Sequence, residues 1–236
     1  MDDLEYLNKY YKGDINEAIK RLDNGEPVQY IVGNVNFYGN LIEVNKDVLI
    51  PRFETEELIE QTLKFFPNKD IKLRIADLGT GSGCIAITLK KELPYSIVDA
   101  VDISQKALMV AQNNAKLNNT DINFYLGDML EPLKGKYDLI ISNPPYLDYD
   151  EPIMDIVKNN EPSEALYADN NGLFYYENIL KNITKYLNDK YLIAFEIGYR
   201  QGDALEKLCH KYLPKSHIEL KKDLQGKDRF VFIFSK

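Results

Sequence analysis

The sequence predicts an α/β fold with a seven-stranded, mostly parallel sheet that ends in an antiparallel hairpin. From residue 51 onward, short apolar runs alternate with longer amphipathic stretches, which is typical of parallel strands joined by right-handed helical crossovers. The last two apolar runs have only a turn between them, which indicates an antiparallel pair. A glycine-rich turn also follows the first of these apolar runs directly and leads into a helix.

The bounds of each element follow from the same patterns. Strands are predicted over residues 73–78, 97–101, 122–126, 138–141, 191–197, 217–220 and 230–234. Helices are predicted over residues 55–66, 83–91, 104–117, 172–187 and 201–212, and Pro67 ends the first of them. These elements belong to one main domain with predicted bounds 51–236.

Two smaller segments precede the main domain. Residues 1–26 are predicted to be helical, because apolar side chains recur every three or four positions and Asp14 suits a helix start. Residues 27–50 are predicted to form a linking β-hairpin, since strand-like runs lie around Gly33 and Gly39. The predicted hairpin strands include the run at residues 28–32.

Composition and charge exclude several classes of protein. The chain has 236 residues, 44% of them hydrophobic, which is enough to bury a sizeable core and excludes wholesale disorder. Its formal charge is 29 − 37 = −8, which disfavours stable binding to nucleic acid or to an anionic membrane. No apolar run approaches the roughly 18 residues of a membrane span, and the first residues are acidic, so a cytoplasmic protein is expected.

Cysteine and histidine are too sparse for a disulfide framework or a metal site. Cys84 and Cys209 are far apart, and His210 and His217 have no partner at ligand spacing. We therefore expect no bound metal.

The first motif that indicates ligand chemistry is the glycine-rich turn. A strand runs into Gly79, Gly81 and Gly83, and glycines there let a ligand approach the backbone beside a helix N-terminus. Residues 81–86 also satisfy the pattern G-x-G-x-x-A of dinucleotide sites. The same pattern fits a tight strand-to-helix turn without a ligand.

The second motif is Asp102, which ends the next strand, 102 − 83 = 19 residues after the last glycine. A carboxylate in this place can accept hydrogen bonds from the ribose hydroxyls of a nucleotide cofactor. Alternatively, Asp102 and Ser104 only cap the following helix. The two motifs together are compatible with NAD or with S-adenosylmethionine.

The third motif, Asn143-Pro-Pro-Tyr146, follows the fourth strand. Its two prolines hold an extended, rigid loop at the edge of the sheet where open α/β folds bind ligands. The Asn143 side-chain oxygen and the Pro144 carbonyl can accept both hydrogens of a planar NH₂ group, against which the Tyr146 ring can stack. Hydride transfer needs no such arrangement, although a rigid turn would also explain the prolines.

The three motifs in this order resemble S-adenosylmethionine-dependent methyltransferases that modify planar nitrogens. Residues 49–60 are further similar to the I-P-R-P-E-T-E-x-L segment of the HemK-type protein-(glutamine-N5) methyltransferases, which act on class-1 peptide chain release factors. The similarity covers roughly residues 25–236 and continues at residues 25–39, 161–166, 169–176, 196–202 and 228–231. Phe53 stands where the family has proline, and the segment 1–26 is shorter than the family's helical N-terminal domain.

The resemblance implies a Rossmann-like class I methyltransferase fold for residues 51–236, with S-adenosyl-L-methionine as cofactor. The implied reaction is methyl transfer to the N5 amide nitrogen of the GGQ-motif glutamine of a release factor. The implied cofactor residues are Gly79, Thr80, Gly81, Ser82 and Gly83 at the methionine part, Asp102 at the ribose, Asp128 and Met129 at the adenine, and Asn143. The implied acceptor residues are Asn143, Pro144, Pro145 and Tyr146, with Arg52, Glu54 and Thr55 closing over the pocket.

Other interpretations of these residues stay open at this point. Met129 is equally compatible with core filling, and Arg52, Glu54 and Thr55 with an ordinary acidic helix start. Three other functions also fit the motifs: N6-adenine methylation of RNA or DNA, glutamine methylation of a ribosomal protein, and a non-catalytic cofactor-binding subunit. The absence of a spare target-recognition segment disfavours a DNA enzyme, and the intact Asn143-Pro-Pro-Tyr146 disfavours a non-catalytic subunit.

Overall fold

The computed structural model describes residues 2–235 of the chain. The helices are α1 (Asp3–Tyr10), α2 (Ile15–Asp23), α3 (Val28–Val32), α4 (Phe53–Leu63), α5 (Cys84–Glu92), α6 (Gln105–Leu117), α7 (Asp155–Asn160), α8 (Asp169–Gly172), α9 (Phe174–Asn182) and α10 (Gly202–Tyr212). The strands are β1 (Asn34–Phe37), β2 (Asn40–Glu43), β3 (Arg74–Leu78), β4 (Ile97–Asp102), β5 (Asn123–Leu126), β6 (Tyr137–Ser142), β7 (Leu187–Glu196), β8 (His217–Lys222) and β9 (Asp228–Phe234). Among the described residues, no helix has the length and apolar character needed to cross a membrane.

The main sheet has seven strands in the order β5-β4-β3-β6-β7-β9-β8. Strands β3 to β7 pair in parallel, and β9 pairs antiparallel with both β7 and β8. The predicted mostly parallel sheet with a terminal antiparallel hairpin is therefore confirmed. Because β3 pairs with β4 on one side and β6 on the other, the strand order reverses there, and such a point opens a crevice at the carboxyl edge.

The central strands form because their side chains are buried on both faces of the sheet. In β3, Ile75 belongs to the hydrophobic cluster on one face and Ala76 to the cluster on the other. Leu139 and Ile140 of β6 divide in the same way. This burial explains the near-continuous apolar runs from which the strands were predicted.

The prediction of a strand over residues 28–32 is wrong, because these residues form helix α3. Pro27 precedes the helix with φ −56°, and Gly33 ends it in the left-handed region with φ +83°. Val28 and Ile31 then pack against Leu7 of α1 in a small separate cluster. Burial against the leading helices outweighs the β-propensity of valine and isoleucine here.

The remaining hairpin consists of β1 and β2 alone, and small differences occur elsewhere. The turn between β1 and β2 is formed by Tyr38 and Gly39, both with positive φ, as in the tight turns typical of hairpins. Helix α7 was not predicted, and residue 187, predicted to be helical, begins β7. The division of the chain into 1–26, 27–50 and 51–236 stays a prediction.

Asn114 of α6 holds the hairpin against the main domain. Its Oδ1 accepts from the Glu43 backbone N–H at 2.7 Å, and its Nδ2 donates to the carbonyls of Glu43 and Ser82, each at 2.9 Å. The Asn114 side chain is fully buried, so its amide relies on these bonds rather than on water. One amide thereby joins strand β2 to the glycine-rich turn.

Asn114→Ala is expected to lower the free energy of unfolding by about 2–4 kcal/mol, because it leaves the buried Ser82 carbonyl unpaired and removes both bonds to the Glu43 backbone. Urea denaturation measures this loss. Asn113→Ala is the matched control, since Asn113 is exposed on the same helix. Its effect is expected to stay within about 0.5 kcal/mol. Equal losses in the two variants would contradict the role of Asn114.

Candidate active site

A cleft of about 300 Å³ opens at the carboxyl edge of the sheet, where the strand order reverses. Six residues singled out in the sequence line it: Gly79, Asp102, Asp128, Met129, Asn143 and Pro145. The cleft is also lined by residues to which the sequence analysis assigned no role, namely Asp47, Leu49, Lys106, Ser163, Glu164 and Tyr175. The volume suits a small-molecule ligand.

Asp102 ends β4 and braces the glycine-rich turn. Its Oδ2 accepts from the Gly81 N–H at 2.8 Å, and its Oδ1 accepts from the Ser104 N–H at 2.9 Å. Burial raises the pKa of Asp102, and these backbone N–H groups oppose the rise. The side chain that caps α6 belongs to Ser104, which accepts from the Ala107 N–H at 3.3 Å. Asp102 is therefore free to face the cleft.

The glycines of the turn are required for two different reasons. Gly79, Gly81 and Gly83 have φ of +69°, +55° and +83°, a region that side chains rarely adopt. At Gly83 a Cβ would also lie only 3.1 Å from that of Ala111, so this glycine lets α5 pack against α6. At Gly81 a Cβ would meet open space, which leaves its backbone accessible.

Thr80 and Ser82 of the same turn are buried, and they line a small cavity of about 40 Å³ beneath the cleft. The Thr80 hydroxyl donates to Asp77 Oδ2 at 2.6 Å, at the end of β3. Asp77 is fully buried, and among residues 2–235 its Oδ1 has no hydrogen-bond partner. Burial raises the pKa of Asp77 to about 7, and the nearby Asp102 adds to the rise.

Asp128 and Met129 lie in the loop after β5, on the wall of the cleft. Met129 has φ +42°, a strained conformation for this residue type, and such strain is found mainly at functional sites. Its side chain is buried in a hydrophobic cluster and also lines the cleft. The methionine thus fills the core and contributes to the site at once. Asp128 is half-buried, and burial raises its pKa.

Asn143 lies where three cavities meet. It lines the large cleft, the small cavity beneath it and a further cavity of about 130 Å³, which we call the acceptor pocket. Pro144 and Tyr146 line the acceptor pocket, whereas Pro145 lines the cleft. The motif therefore forms the wall between the two larger cavities, with Asn143 exposed to both.

The three residues at the start of α4 have different roles in the structure. Thr55 is buried and accepts from Asn143 Nδ2 at 3.1 Å. Arg52 lines the acceptor pocket and forms a 2.5 Å ion pair with the buried Glu161. Glu54 lies in the first turn of α4 and is not among the residues that line these cavities. Phe53, which replaces the family's proline, is 61% exposed.

Glu196 is a site residue that belongs to the segment 196–202 of the family resemblance, but the sequence analysis assigned it no role. It ends β7, is 1% exposed, and accepts from the Thr55 hydroxyl at 2.7 Å through Oε2. The Tyr146 hydroxyl lies 3.4 Å from its Oε1. Burial raises the pKa of Glu196 to about 7, while Thr55 and Arg229 oppose the rise. An acidic residue at the end of an apolar strand, the signal that indicated Asp102, also marks Glu196.

Gln201 and Gly172 hold the backbone of Tyr146 from the other side. Gln201 Nε2 donates to the Tyr146 carbonyl at 2.8 Å, while Gln201 Oε1 accepts from the Gly198 N–H at 2.9 Å. A Cβ at Gly172 would collide with the Tyr146 carbonyl, and its φ of +77° also favours glycine. The Asn-Pro-Pro-Tyr loop is thus fixed at both ends.

Four features together define a Rossmann-like class I methyltransferase. They are the strand order of the sheet, the glycine-rich turn, the carboxylate at the end of the second parallel strand and the Asn-Pro-Pro-Tyr loop. In agreement, a family model described as the methyltransferase small domain matches residues 57–161. Two curated relatives are named release factor glutamine methyltransferase. The one from Bacillus subtilis is 44% identical over 88% of this chain and 75% of the relative. The one from Staphylococcus aureus is 42% identical over 91% and 78%.

A solved structure agrees with these relatives. It is titled protein-(glutamine-N5) methyltransferase (release factor-specific), from Alicyclobacillus acidocaldarius, and is 25% identical with a TM-score of 0.51. The match covers 82% of this chain and 99% of that one. The chain belongs to the release factor glutamine methyltransferase family, which confirms the resemblance found in the sequence.

The residues of the cleft fit S-adenosylmethionine, the cofactor that the resemblance implies. Four carboxylates line the cleft, from Asp47, Asp102, Asp128 and Glu164, and the one ammonium among its lining residues, Lys106, lies 3.6 Å from Asp47. This excess of negative charge suits a ligand with a cationic sulfur and an ammonium group. The oxygens of Asp102 each accept one backbone bond and retain lone pairs for ribose hydroxyls.

The Asp77 carboxyl is expected to make stability depend on pH. Its pKa is about 7 in the folded protein against an ordinary value of 3.8, so between these values the folded state holds a proton that the unfolded state lacks. Stability therefore falls as pH rises through this window, by roughly 4 kcal/mol when Asp77 is fully ionised.

Asp77→Asn removes this dependence because asparagine is neutral at every pH. The variant's Tm minus the wild-type Tm is expected to become more positive from about pH 4 to about pH 8, as thermal melts would show. The exposed Asp121→Asn serves as control and should keep a constant difference. A constant difference for Asp77→Asn as well would contradict the raised pKa.

Proposed function

We propose that this chain transfers the methyl group of S-adenosyl-L-methionine to the side-chain N5 of the glutamine in the GGQ motif of class-1 peptide chain release factors. The observation on which this proposal rests is the position of Asn143 between the cleft and the acceptor pocket, with its Nδ2 bonded to Thr55. Its Oδ1 then remains to accept from an incoming amide. The names of the relatives support the choice of a release factor as acceptor.

Bound S-adenosylmethionine supplies a methyl group on a positively charged sulfur. The backbone at Gly79–Gly83 and the side chains of Thr80 and Ser82 form the turn against which its methionine part would lie. Asp102 would accept from the ribose hydroxyls, and Asp128 and Met129 would flank the adenine. The carboxylates of the cleft would stabilise its positive charge.

An amide nitrogen is a poor nucleophile because its lone pair is delocalised into the carbonyl. Asn143 Oδ1 and the Pro144 carbonyl would accept its two hydrogens and orient the nitrogen toward the cleft. The rigid prolines lower the entropy cost of this orientation, and held geometry of this kind contributes up to about 7–11 kcal/mol. The Tyr146 ring would pack against the glutamine side chain. The methylated nitrogen would then release its extra proton to water, so no side chain is required as a base.

The same proposal includes a division of the chain into domains and the cellular compartment of the reaction. Residues 51–236 would form the methyltransferase domain, 27–50 its linking hairpin, and 1–26 a shortened helical N-terminal segment. The charge of −8 supports a protein acceptor over stable binding to nucleic acid. Release factors act in translation, which favours the cytoplasm as the site of the reaction.

The experiment that tests the function is incubation with methyl-labelled S-adenosylmethionine and a release factor, with tRNA, rRNA, DNA and ribosomal proteins as parallel acceptors. Label is expected on the release factor, and replacement of its GGQ glutamine should abolish it. Label on a nucleic acid or a ribosomal protein alone would contradict the proposal.

Asn143→Ala is expected to lower kcat/KM roughly 30- to 1000-fold, which corresponds to a loss of about 2–4 kcal/mol of transition-state stabilisation. The reason is that the acceptor amide loses one of the two oxygens that orient it. Initial rates of label transfer measure this loss. Asn113→Ala, at an exposed position, is the control and should retain wild-type rates. Near-normal turnover by Asn143→Ala would refute the assignment.

Asp102→Asn is expected to weaken S-adenosylmethionine binding by about 1.5–3 kcal/mol, roughly 10- to 150-fold in Kd. Asparagine keeps only one acceptor oxygen and has no charge for the cationic ligand. Isothermal titration calorimetry measures the change, with Asp121→Asn as the exposed control. An unchanged Kd in Asp102→Asn would exclude its cofactor role.

A further inference from the structure

We propose that Glu196 is a positioning residue whose ionised carboxylate fixes the orientation of the Asn143 amide through Thr55, so that methyl transfer depends on its ionisation. The inference rests on the proposed function and deepens it, since it concerns how the acceptor nitrogen is held. Glu196 itself would touch neither the cofactor nor the reacting nitrogen.

The three side chains form a continuous chain of hydrogen bonds. Thr55 Oγ1 donates to Glu196 Oε2 at 2.7 Å, and Asn143 Nδ2 donates to Thr55 Oγ1 at 3.1 Å. Glu196 and Thr55 are 1% and 3% exposed, so solvent has little access to either. The orientation of each of these three side chains therefore restricts that of the next.

The donor-to-acceptor direction of these hydrogen bonds follows from the chemistry of the carboxylate. An ionised carboxylate can only accept, so Thr55 must give its single hydroxyl proton to Glu196. The Thr55 oxygen can then only accept from Asn143, and within that amide only Nδ2 donates. The Asn143 Oδ1 is thereby left to accept a hydrogen of the glutamine amide.

A protonated Glu196 would reverse this direction. Its own O–H could donate to Thr55, whose hydroxyl would then be free to donate to Asn143 Oδ1. The amide would turn and present its NH₂ to the acceptor pocket. Because the glutamine nitrogen also carries two hydrogens, two hydrogen-bond donors would face each other. The glutamine amide would then lose its orientation.

The same carboxylate also reaches the other end of the Asn-Pro-Pro-Tyr loop. The Tyr146 hydroxyl lies 3.4 Å from Glu196 Oε1, and both side chains line the acceptor pocket. Gln201 holds the Tyr146 carbonyl at 2.8 Å from the opposite side. One buried carboxylate thus contacts Tyr146 directly and Asn143 through Thr55.

The groups around Glu196 set the pKa of its carboxyl near neutral pH. Burial raises its pKa to about 7, the charge of Glu54 on α4 adds to this rise, and the charge of Arg229 on β9 opposes it. The Tyr176 hydroxyl of α9 donates to the Glu196 backbone carbonyl at 2.6 Å. The ionisable groups that face Glu196 from the surrounding elements are Glu54, Cys84, Tyr146, Tyr176 and Arg229.

The test is the pH profile of kcat for the full chain with labelled S-adenosylmethionine and a release factor, from about pH 6 to about pH 9. For the wild type, kcat is expected to rise with a midpoint near the pKa of Glu196. Glu196→Gln, whose amide can donate to Thr55 as the protonated acid does, should lower kcat about 10- to 100-fold at the alkaline end and flatten the profile. Its Kd for S-adenosylmethionine should change less than about threefold, because Glu196 does not line the cleft.

Thr55 supplies a second pair of variants in case Glu196→Gln does not fold. Thr55→Val removes the hydroxyl and is expected to abolish the rise of kcat with pH, whereas Thr55→Ser keeps the hydroxyl and the rise. Glu219→Gln, at an exposed position on β8, controls for loss of a carboxylate. A wild-type profile in Glu196→Gln, or in Thr55→Val, would overturn this inference alone. A wild-type chain that never labels a release factor would instead overturn the proposed function.

Discussion

The parallel pairing of β3 with both β4 and β6 is the constraint on which the site depends. Parallel strands end at the same edge, so the loops after all three strands leave the sheet together. Because the chain runs outward from β3 on one side and returns to the other, these loops diverge and leave a cleft between them. Asp102 and Asn143 line the same cleft because their strands flank β3.

Single polar side chains then fix the loops to this rigid frame. Asp102 braces the Gly81 backbone, Asn114 joins strand β2 to Ser82, and Gln201 holds the Tyr146 carbonyl. Each bond satisfies a backbone group that the loop itself leaves unpaired. A site of this kind is organised before any ligand arrives, which lowers the entropy cost of orienting an acceptor.

The site is also acidic beyond what stability alone would favour. Asp77 and Glu196 are almost completely buried, and burial raises the pKa of both carboxyls to about 7. Charging either group in the interior destabilises the fold. Such groups are typical of functional sites, where orientation and charge outweigh maximal stability. The charge of Glu54 raises the pKa of the buried Glu196 carboxyl, and the charge of Arg229 lowers it.

The sequence by itself determined the succession of strands and helices along the chain, the terminal antiparallel pair and the motifs around Gly79, Asp102 and Asn143, because each depends on local periodicity or on a few adjacent residues. The tertiary structure decided which distant residues meet. Thr55 lies 88 positions from Asn143 and 141 from Glu196, so no local pattern could reveal their hydrogen bonds. It also decided that residues 28–32 form a helix, since burial against the leading helices outweighs local β-propensity.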